Sequence, residues 1–385
     1  MSPIFHRFKS FVKSQQFNGI LLLSCTAFSL LLSNLSWCSG YHNFWKISFS
    51  ASIAQHHLPD SPILLINDFL MAFFFLVVGL EIRKEIVSGD LSNLKSATLP
   101  VAAAVGGMIA PALIYFCLNT GSSTQTGWGI PMATDIAFAL GILSLSGKRV
   151  PPSLKLLLTT LAVADDLGAV LVIALFYSHG LSTVYLISSI LLFILLLLAN
   201  RSGIKNNFFY ILAGVLLWYL IHSSGVHATV AGVLMALVLP DEIIANKKGL
   251  QSLEHAVNYA VIPLFALANT AIVLQPNWTA SLVEPTSIGI ILGLLFGKPA
   301  GILSAVYLSV KCKITQLPKE INFRHLAGVG FLGGIGFTMS IFISLLAFEL
   351  VDITNQAKVA IMLASLISGL TGFLILRFSS KQVDR

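Results

Sequence analysis

Long apolar runs, separated by short polar connections, repeat along the whole chain. Twelve can be counted, centred near residues 27, 72, 108, 137, 166, 192, 214, 233, 265, 298, 338 and 368. About 20 apolar residues suffice to cross the hydrocarbon core as a helix, so each run predicts one span. No linker, low-complexity tract or soluble segment interrupts them. The pattern predicts a single all-α polytopic membrane domain over residues 1–385, with about twelve transmembrane helices. The first run, 18–35, follows Arg7, Lys9 and Lys13. It is longer than a signal-peptide core and no A-x-A-like site closes it, so it reads as a retained helix. One stretch breaks the pattern. Residues 46–53 (KISFSASI) alternate polar and apolar positions, which is the strand period. A free edge strand there could pair with a second copy of the chain, and an irregular loop is the alternative. His56 and His57, just beyond it, read as loop.

Basic residues orient the spans. They gather on alternate connections, around 83–95, 148–155, 201–205, 247–248 and 311–324, and on both tails, which carry Arg7, Lys9, Lys13, Arg377, Lys381 and Arg385. Of the 23 lysines and arginines, only Lys46 and Lys358 fall on the opposite side, and Lys298 lies inside the tenth run. By the positive-inside rule both termini are expected in the cytoplasm. The net charge of +7 is this bias and not a nucleic-acid patch. The chain is 56% hydrophobic and 10% charged, against about 25% charged in a soluble domain. That excludes a soluble enzyme, a nucleic-acid-binding protein and a disordered chain. Four cysteines form no CxxC and no zinc-like spacing, and read as helix-packing residues.

Charge deep in a membrane is costly and usually functional. Among the acids only Asp135, Asp165 and Asp166 sit deep, and among the bases only Lys298. Asp165 and Asp166 fall at the middle of the fifth run, 156–176, and Lys298 at the middle of the tenth, 287–310, each about 15 Å from either surface. An Asp–Lys pair across the two helices is the natural arrangement. Such a pair could serve only to hold helices together, but it accounts for one aspartate and not for the second. Neighbours on a helix point about 100° apart, so one can face the lysine while the other faces a cavity. Two carboxylates this close titrate as a coupled unit. They can hold protons or a small hard cation, Na⁺ or Li⁺, but not both together. Mutual exclusion at one site is what exchange requires.

Two runs are poor helices. The fourth has Gly127, Gly129 and Pro131 just before Ala133-Thr134-Asp135, and the eleventh has Gly328, Gly330, Gly333, Gly334 and Gly336 before Phe337-Thr338. Broken backbone at membrane depth is tolerated inside protein or beside a cavity, and it presents half-helix ends. Asp135 could neutralise facing N-termini. Close packing explains the glycines as an alternative, and a helix-packing hydrogen bond explains Asp135. Segments 98–176 and 287–377 share a layout of three helices with the break in the middle one, starting on opposite sides, and are candidate inverted repeats.

Six runs carry a family resemblance: NDFLMAFFFLVVGLE at 67–81, PMATDIAFALG at 131–141, DDLG at 165–168, SGVHAT at 224–229, GKP at 297–299 and GIGFTMS at 334–340. Together they resemble the NhaA sodium/proton antiporters over nearly the whole chain. That family is itself the known example of inverted repeats with broken helices. The resemblance implies that Asp165 and Asp166 bind the cation and the protons. It implies that Asp135 and Lys298 compensate the charges of the crossed, unwound segments, with Lys298 paired to Asp165 and Thr134 beside the site. It assigns pH regulation to Glu81, Arg83, Lys84, Glu85, His227 and Glu254. The implied activity is electrogenic exchange of cytoplasmic Na⁺ or Li⁺ for external protons, raised at alkaline pH, in the bacterial inner membrane. No cofactor and no enzymatic reaction is implied. The implied partners are lipid, the transported ions and a second copy joined through 46–60. One departure stands out: after Leu253-Glu-His255 the chain runs Ala256-Val-Asn-Tyr259 to Pro263, sooner than the family does.

Other readings fit less well. An intramembrane aspartyl protease needs two aspartates facing each other from separate helices. A passive channel uses rings of like charge. A K⁺/H⁺ antiporter or a proton-coupled organic anion carrier is the remaining alternative, against which the adjacent aspartates favour a small hard cation.

Overall fold

A computed structural model describes residues 15–35, 38–48, 52–53, 56–57, 61–147, 150–178, 180–274, 276 and 278–379. Arg7, Lys9, Lys13, Lys148, Arg149, Lys381, Arg385 and much of the 46–60 segment lie outside these residues.

The apolar runs wind into helices because a backbone in hydrocarbon must satisfy its own polar groups. These are α1 (Gln15–Asn34), α2 (Pro62–Ser88), α3 (Leu94–Leu118), α4 (Ile136–Leu145), α5 (Pro152–Phe176) and α6 (Thr183–Arg201). They continue with α7 (Asn207–Ser223), α8 (Val230–Val238), α9 (Lys247–Ala256) and α10 (Ile262–Asn269). The last four are α11 (Pro285–Lys311), α12 (Phe323–Gly333), α13 (Phe337–Ala347) and α14 (Val351–Ser379). Among the described residues eight helices are long and apolar enough to cross a membrane, and the bent pair α12–α13 makes nine. The protein is thus a multi-pass, all-α membrane protein. Helices stand at all twelve expected places, but not as twelve full spans. α7 has 17 residues and α8 only 9. Between them Gly225 takes a positive φ of 82° in a Ser/Gly turn. The ninth run starts in the polar α9 and reaches α10 through a π-helical turn, Val257–Val261.

His56 and His57 are not loop. They form a two-residue strand, β2, antiparallel to β1 (Ser52–Ile53), with Ser52 opposite His57 and Ile53 opposite His56.

The chain divides into two compact units, and the cuts fall inside α1, α2 and α5. One unit holds 85–169 and the described part of 274–385, with the start of α1. In it α3 and α11 cross at glycines, and a Cβ added to Gly301 would lie 2.1 Å from the Gly106 carbonyl oxygen. Only a pair lacking side chains lets these backbones touch. The other unit holds Cys25–Lys84 and Val170–Val273. There α2 and α8 meet as closely, with Gly232 against the Ala72 carbonyl. A buried pair, Asn67 and Asn269, joins α2 to α10, Asn269 Nδ2 donating to Asn67 Oδ1 at 2.7 Å. Trp218 Nε1 donates to the Asp68 carbonyl at 3.1 Å.

Candidate functional site

The site is built in the first unit from two interrupted segments. The fourth run is a 3-10 helix over Gln125–Met132, where Gly127, Gly129 and Pro131 resist a regular α-helix. The chain then runs extended at Ala133 (ψ 150°) and Asp135 (ψ 99°) before α4 begins. The eleventh run breaks at Gly334–Gly336, and α12 and α13 meet there at 45°.

The two breaks are pinned to each other. The Asp135 amide donates to the Ile335 carbonyl at 2.6 Å. The Thr134 hydroxyl reaches the Gly333 carbonyl at 2.8 Å, and the Ser340 hydroxyl donates to the Ile130 carbonyl at 2.7 Å. From α14, Ser365 Oγ accepts the Phe337 amide at 3.1 Å, and Ser368 Oγ donates to the Phe331 carbonyl at 2.6 Å. These bonds reach backbone groups at the breaks, where the helices stop satisfying them internally, although the Phe331 carbonyl also accepts from the Gly334 amide at 3.0 Å.

Asp135 meets two helix N-termini at once. Its Oδ1 accepts from the Phe138 amide at 3.1 Å and so caps α4. Its Oδ2 accepts from the Thr338 amide at 3.1 Å, and from the Thr338 hydroxyl, and so caps α13. One carboxylate therefore answers the positive ends of two half-helices. Lys298 meets the opposite polarity: its ammonium donates to the Met132 carbonyl, the last of the 3-10 turn. The same ammonium pairs with Asp165 Oδ2, which also accepts from the Thr134 hydroxyl at 2.6 Å. Asp166 follows Asp165 on α5 and is buried as well. Lys298 is fully buried, and the three aspartates and Thr134 are buried with it. Lys298 follows a π-helical turn in α11, Gly293–Gly297, which places one residue more in the turn than an α-helix would.

The structure thus joins Asp165, Lys298 and Thr134 directly, with Asp166 beside them and Asp135 one residue from Thr134. Asp165 Oδ1 is buried, and among the described residues no hydrogen-bond donor reaches it. Its lone pairs suit a proton or a hard monovalent cation as cargo. Among the described residues no cluster of three or more His, Cys, Asp and Glu side chains forms a metal centre.

The candidates for pH regulation have other surroundings. Arg83 donates to the Ala236 carbonyl at 3.1 Å, to the Leu239 carbonyl, and to Asp241 Oδ1 at 2.6 Å. It therefore closes the C-terminal end of α8, where a cation is favoured. Glu81 and Lys84 flank it on α2, and Glu254 lies on α9. His227 lies in the turn before α8. Glu85 Oε2 accepts from the Asp90 amide at 3.0 Å, holding the turn after α2. On the connection beyond α8, the hydrogen bond from Lys205 holds the Glu242 carboxyl below the usual carboxylate range.

Thr338, the Met132 and Gly333 carbonyls, and Asp241 escape sequence reasoning. Carbonyls leave no trace in a sequence, and a lone threonine in an apolar run is ordinary. The available signal was that each interrupted segment has a threonine at its break, Thr134 and Thr338.

Interrupted helices crossing over buried opposite charges, in a multi-pass helical protein, define a secondary transporter. The comparisons make the class specific. The family model described as Na+/H+ antiporter 1 matches residues 9–376, and the chain belongs to that family of transporters. The Na(+)/H(+) antiporter NhaA 2 of Flavobacterium johnsoniae is 50% identical over 381 residues, covering 97% of this chain and 93% of the relative. The Na(+)/H(+) antiporter NhaA of Dechloromonas aromatica is 48% identical over 379 residues, covering 96% and 95%. The solved structure of the sodium proton antiporter MjNhaP1 from Methanocaldococcus jannaschii at pH 8 matches 95% of this chain and 99% of its own, at 12% identity and a TM-score of 0.46.

Proposed function

We propose that this chain exports cytoplasmic Na⁺ or Li⁺ in exchange for external protons, with Asp165 and Asp166 as the shared site. The observation that carries the reading is the state of Asp165: one oxygen holds Lys298 and Thr134, and the other is buried with no donor among the described residues. Protons and a cation compete for the same carboxylate oxygens, so each cargo leaves when the other binds. Two carboxylates releasing two protons for one monovalent cation would move net charge, which makes the exchange electrogenic. Lys298, Thr134 and Asp135 hold the charges of the broken segments in balance. Exposure of the site alternates as the helices around it rock, as in other transporters with broken helices. The layout of three helices with a central break in 98–176 and 287–377 supports reading them as inverted repeats.

The further parts of the reading rest on the family. Activity rises at alkaline pH, through Glu81, Arg83, Lys84, Glu85, Glu254 and His227. The protein sits in lipid of the bacterial inner membrane with both termini in the cytoplasm, a placement supported by its basic connections. A second copy joins it through 46–60, for which the β1–β2 ladder is the supporting feature.

The test uses inverted membrane vesicles from cells lacking their own antiporters. Respiration builds an acid interior, and NaCl, LiCl or KCl is added at several pH values. Collapse of the gradient by Na⁺ and Li⁺ but not K⁺, stronger at alkaline pH, is expected. Collapse by K⁺ instead, or no collapse with folded protein in the membrane, overturns the reading.

A further inference from the structure

The Thr134 hydroxyl has one proton and two acceptors within reach, Asp165 Oδ2 at 2.6 Å and the Gly333 carbonyl at 2.8 Å. It can donate to one at a time. Gly333 ends α12, and the amide four residues on, that of Phe337, is turned away to Ser365 Oγ. The hydroxyl of Thr134 is therefore the donor set against that helix end.

We propose that Thr134 signals to α12 whether the carboxylate site is loaded. The inference rests on the reading of Asp165 and Asp166 as the exchange site. When Asp165 is a bare carboxylate, the charge-assisted bond is the stronger, and the hydroxyl proton points at Asp165. The Gly333 carbonyl then loses it. When a proton sits on Asp165 Oδ1, the carboxyl is neutral and Oδ2 becomes its carbonyl oxygen, a weaker acceptor for the Thr134 hydroxyl. When a cation binds at Oδ1, its charge offsets that of the carboxylate and weakens the pull of Oδ2 on the hydroxyl in the same way. In both loaded states the hydroxyl proton swings to the Gly333 carbonyl and completes the end of α12. The movement is a rotation about the Cβ–Oγ1 bond. The bond to Gly333 thus reads occupancy and not identity: either cargo makes it, and the empty site breaks it. An exchanger has to reorient with either cargo and stay fixed with neither, or it becomes a leak. Thr134 joins the cargo site to the second interrupted segment in the form that rule needs. It acts as a positioning residue for the exchange step.

The test is a pair of variants of the full-length protein in proteoliposomes. Thr134→Val removes the hydroxyl and keeps the shape, and Thr134→Ser keeps the hydroxyl. The maximal Na⁺/H⁺ exchange rate of the valine variant is expected to fall roughly five- to tenfold, the weight of about one hydrogen bond, while its apparent KM for Na⁺ moves less. The serine variant is expected to stay within about twofold of the native rate, since its hydroxyl makes the same bonds. A Na⁺-dependent rise in Tm of the purified valine variant shows that it is folded and still binds. Thr134→Ala is expected to show the same split between rate and KM. A native maximal rate in the valine variant overturns the inference. So does a raised KM at unchanged rate, which makes Thr134 a ligand only, or a serine variant as impaired as the valine one. Native protein that exchanges nothing overturns the exchange-site reading as well, which separates the two failures.

Discussion

Asp135 and Asp165 are both buried carboxylates of the same unit, joined through Thr134, yet their surroundings differ. Both oxygens of Asp135 are engaged, by the Phe138 amide, the Thr338 amide and the Thr338 hydroxyl. On Asp165, Oδ2 is engaged by Lys298 and Thr134, while among the described residues Oδ1 has no donor. A carboxylate saturated by backbone donors is a part of the fold, since any ligand must displace a helix cap. A carboxylate held by one oxygen leaves the other open to a proton or a cation. Burial alone does not separate the two, and the hydrogen-bond inventory does.

The largest expected effect comes from removing the unsaturated side. Asp165→Asn and Asp166→Asn are each expected to abolish Na⁺-dependent collapse of the proton gradient, and full exchange by either variant would break the comparison. Next comes Lys298→Ala, which leaves Asp165 buried without its ammonium. A loss of about 3–5 kcal/mol is expected, read as a fall in Tm of the purified protein together with a changed pH profile of exchange. An unchanged Tm and profile would show that the ion pair contributes little. Asp135→Asn should weaken the crossing, because the amide nitrogen cannot accept from Thr338. A loss of about 2 kcal/mol is expected, with slowed exchange but Na⁺ binding retained. The smallest effect is expected from Thr338→Val, which removes one of three donors to Asp135. About 1 kcal/mol of stability should go, with exchange near native. If Thr338→Val stopped exchange outright, Asp135 could no longer be read as a saturated support.

The sequence made most of the site legible, and for physical reasons. Deep charge is rare in a chain with so few charged residues, so Asp135, Asp165, Asp166 and Lys298 stand out without a structure. Since Lys298 is the lone deep base, its partner had to be one of three acids. The Gly and Pro clusters at 127–131 and 328–336 announce the two breaks. What could not be read is what depends on the backbone. The Met132 and Gly333 carbonyls become acceptors only once the helices stop there. The π-turn before Lys298 resides in hydrogen-bond register, which apolar periodicity does not encode. The number of full spans was blurred because the hydropathy of α8 is high while its helix is short, closed by the turn at Gly225 and by Pro240. Arg83 was read as one charge among several, whereas its geometry shows a cap on α8.

The crossing also sets a schedule for biosynthesis. Asp165 bonds a lysine 133 residues further along the chain, and Asp135 bonds a threonine 203 residues further. At 5–20 residues per second, these partners leave the ribosome roughly 7–40 s after the aspartates they bind. During that interval the fourth and fifth segments enter the bilayer with acids that lack these later partners, each at about 2.5–3.5 kcal/mol against insertion. The surrounding apolar run has to outweigh that on its own. α5 is apolar along most of its 25 residues, longer than the roughly 20 that spanning needs, and that extra apolar length favours insertion before Lys298 is made.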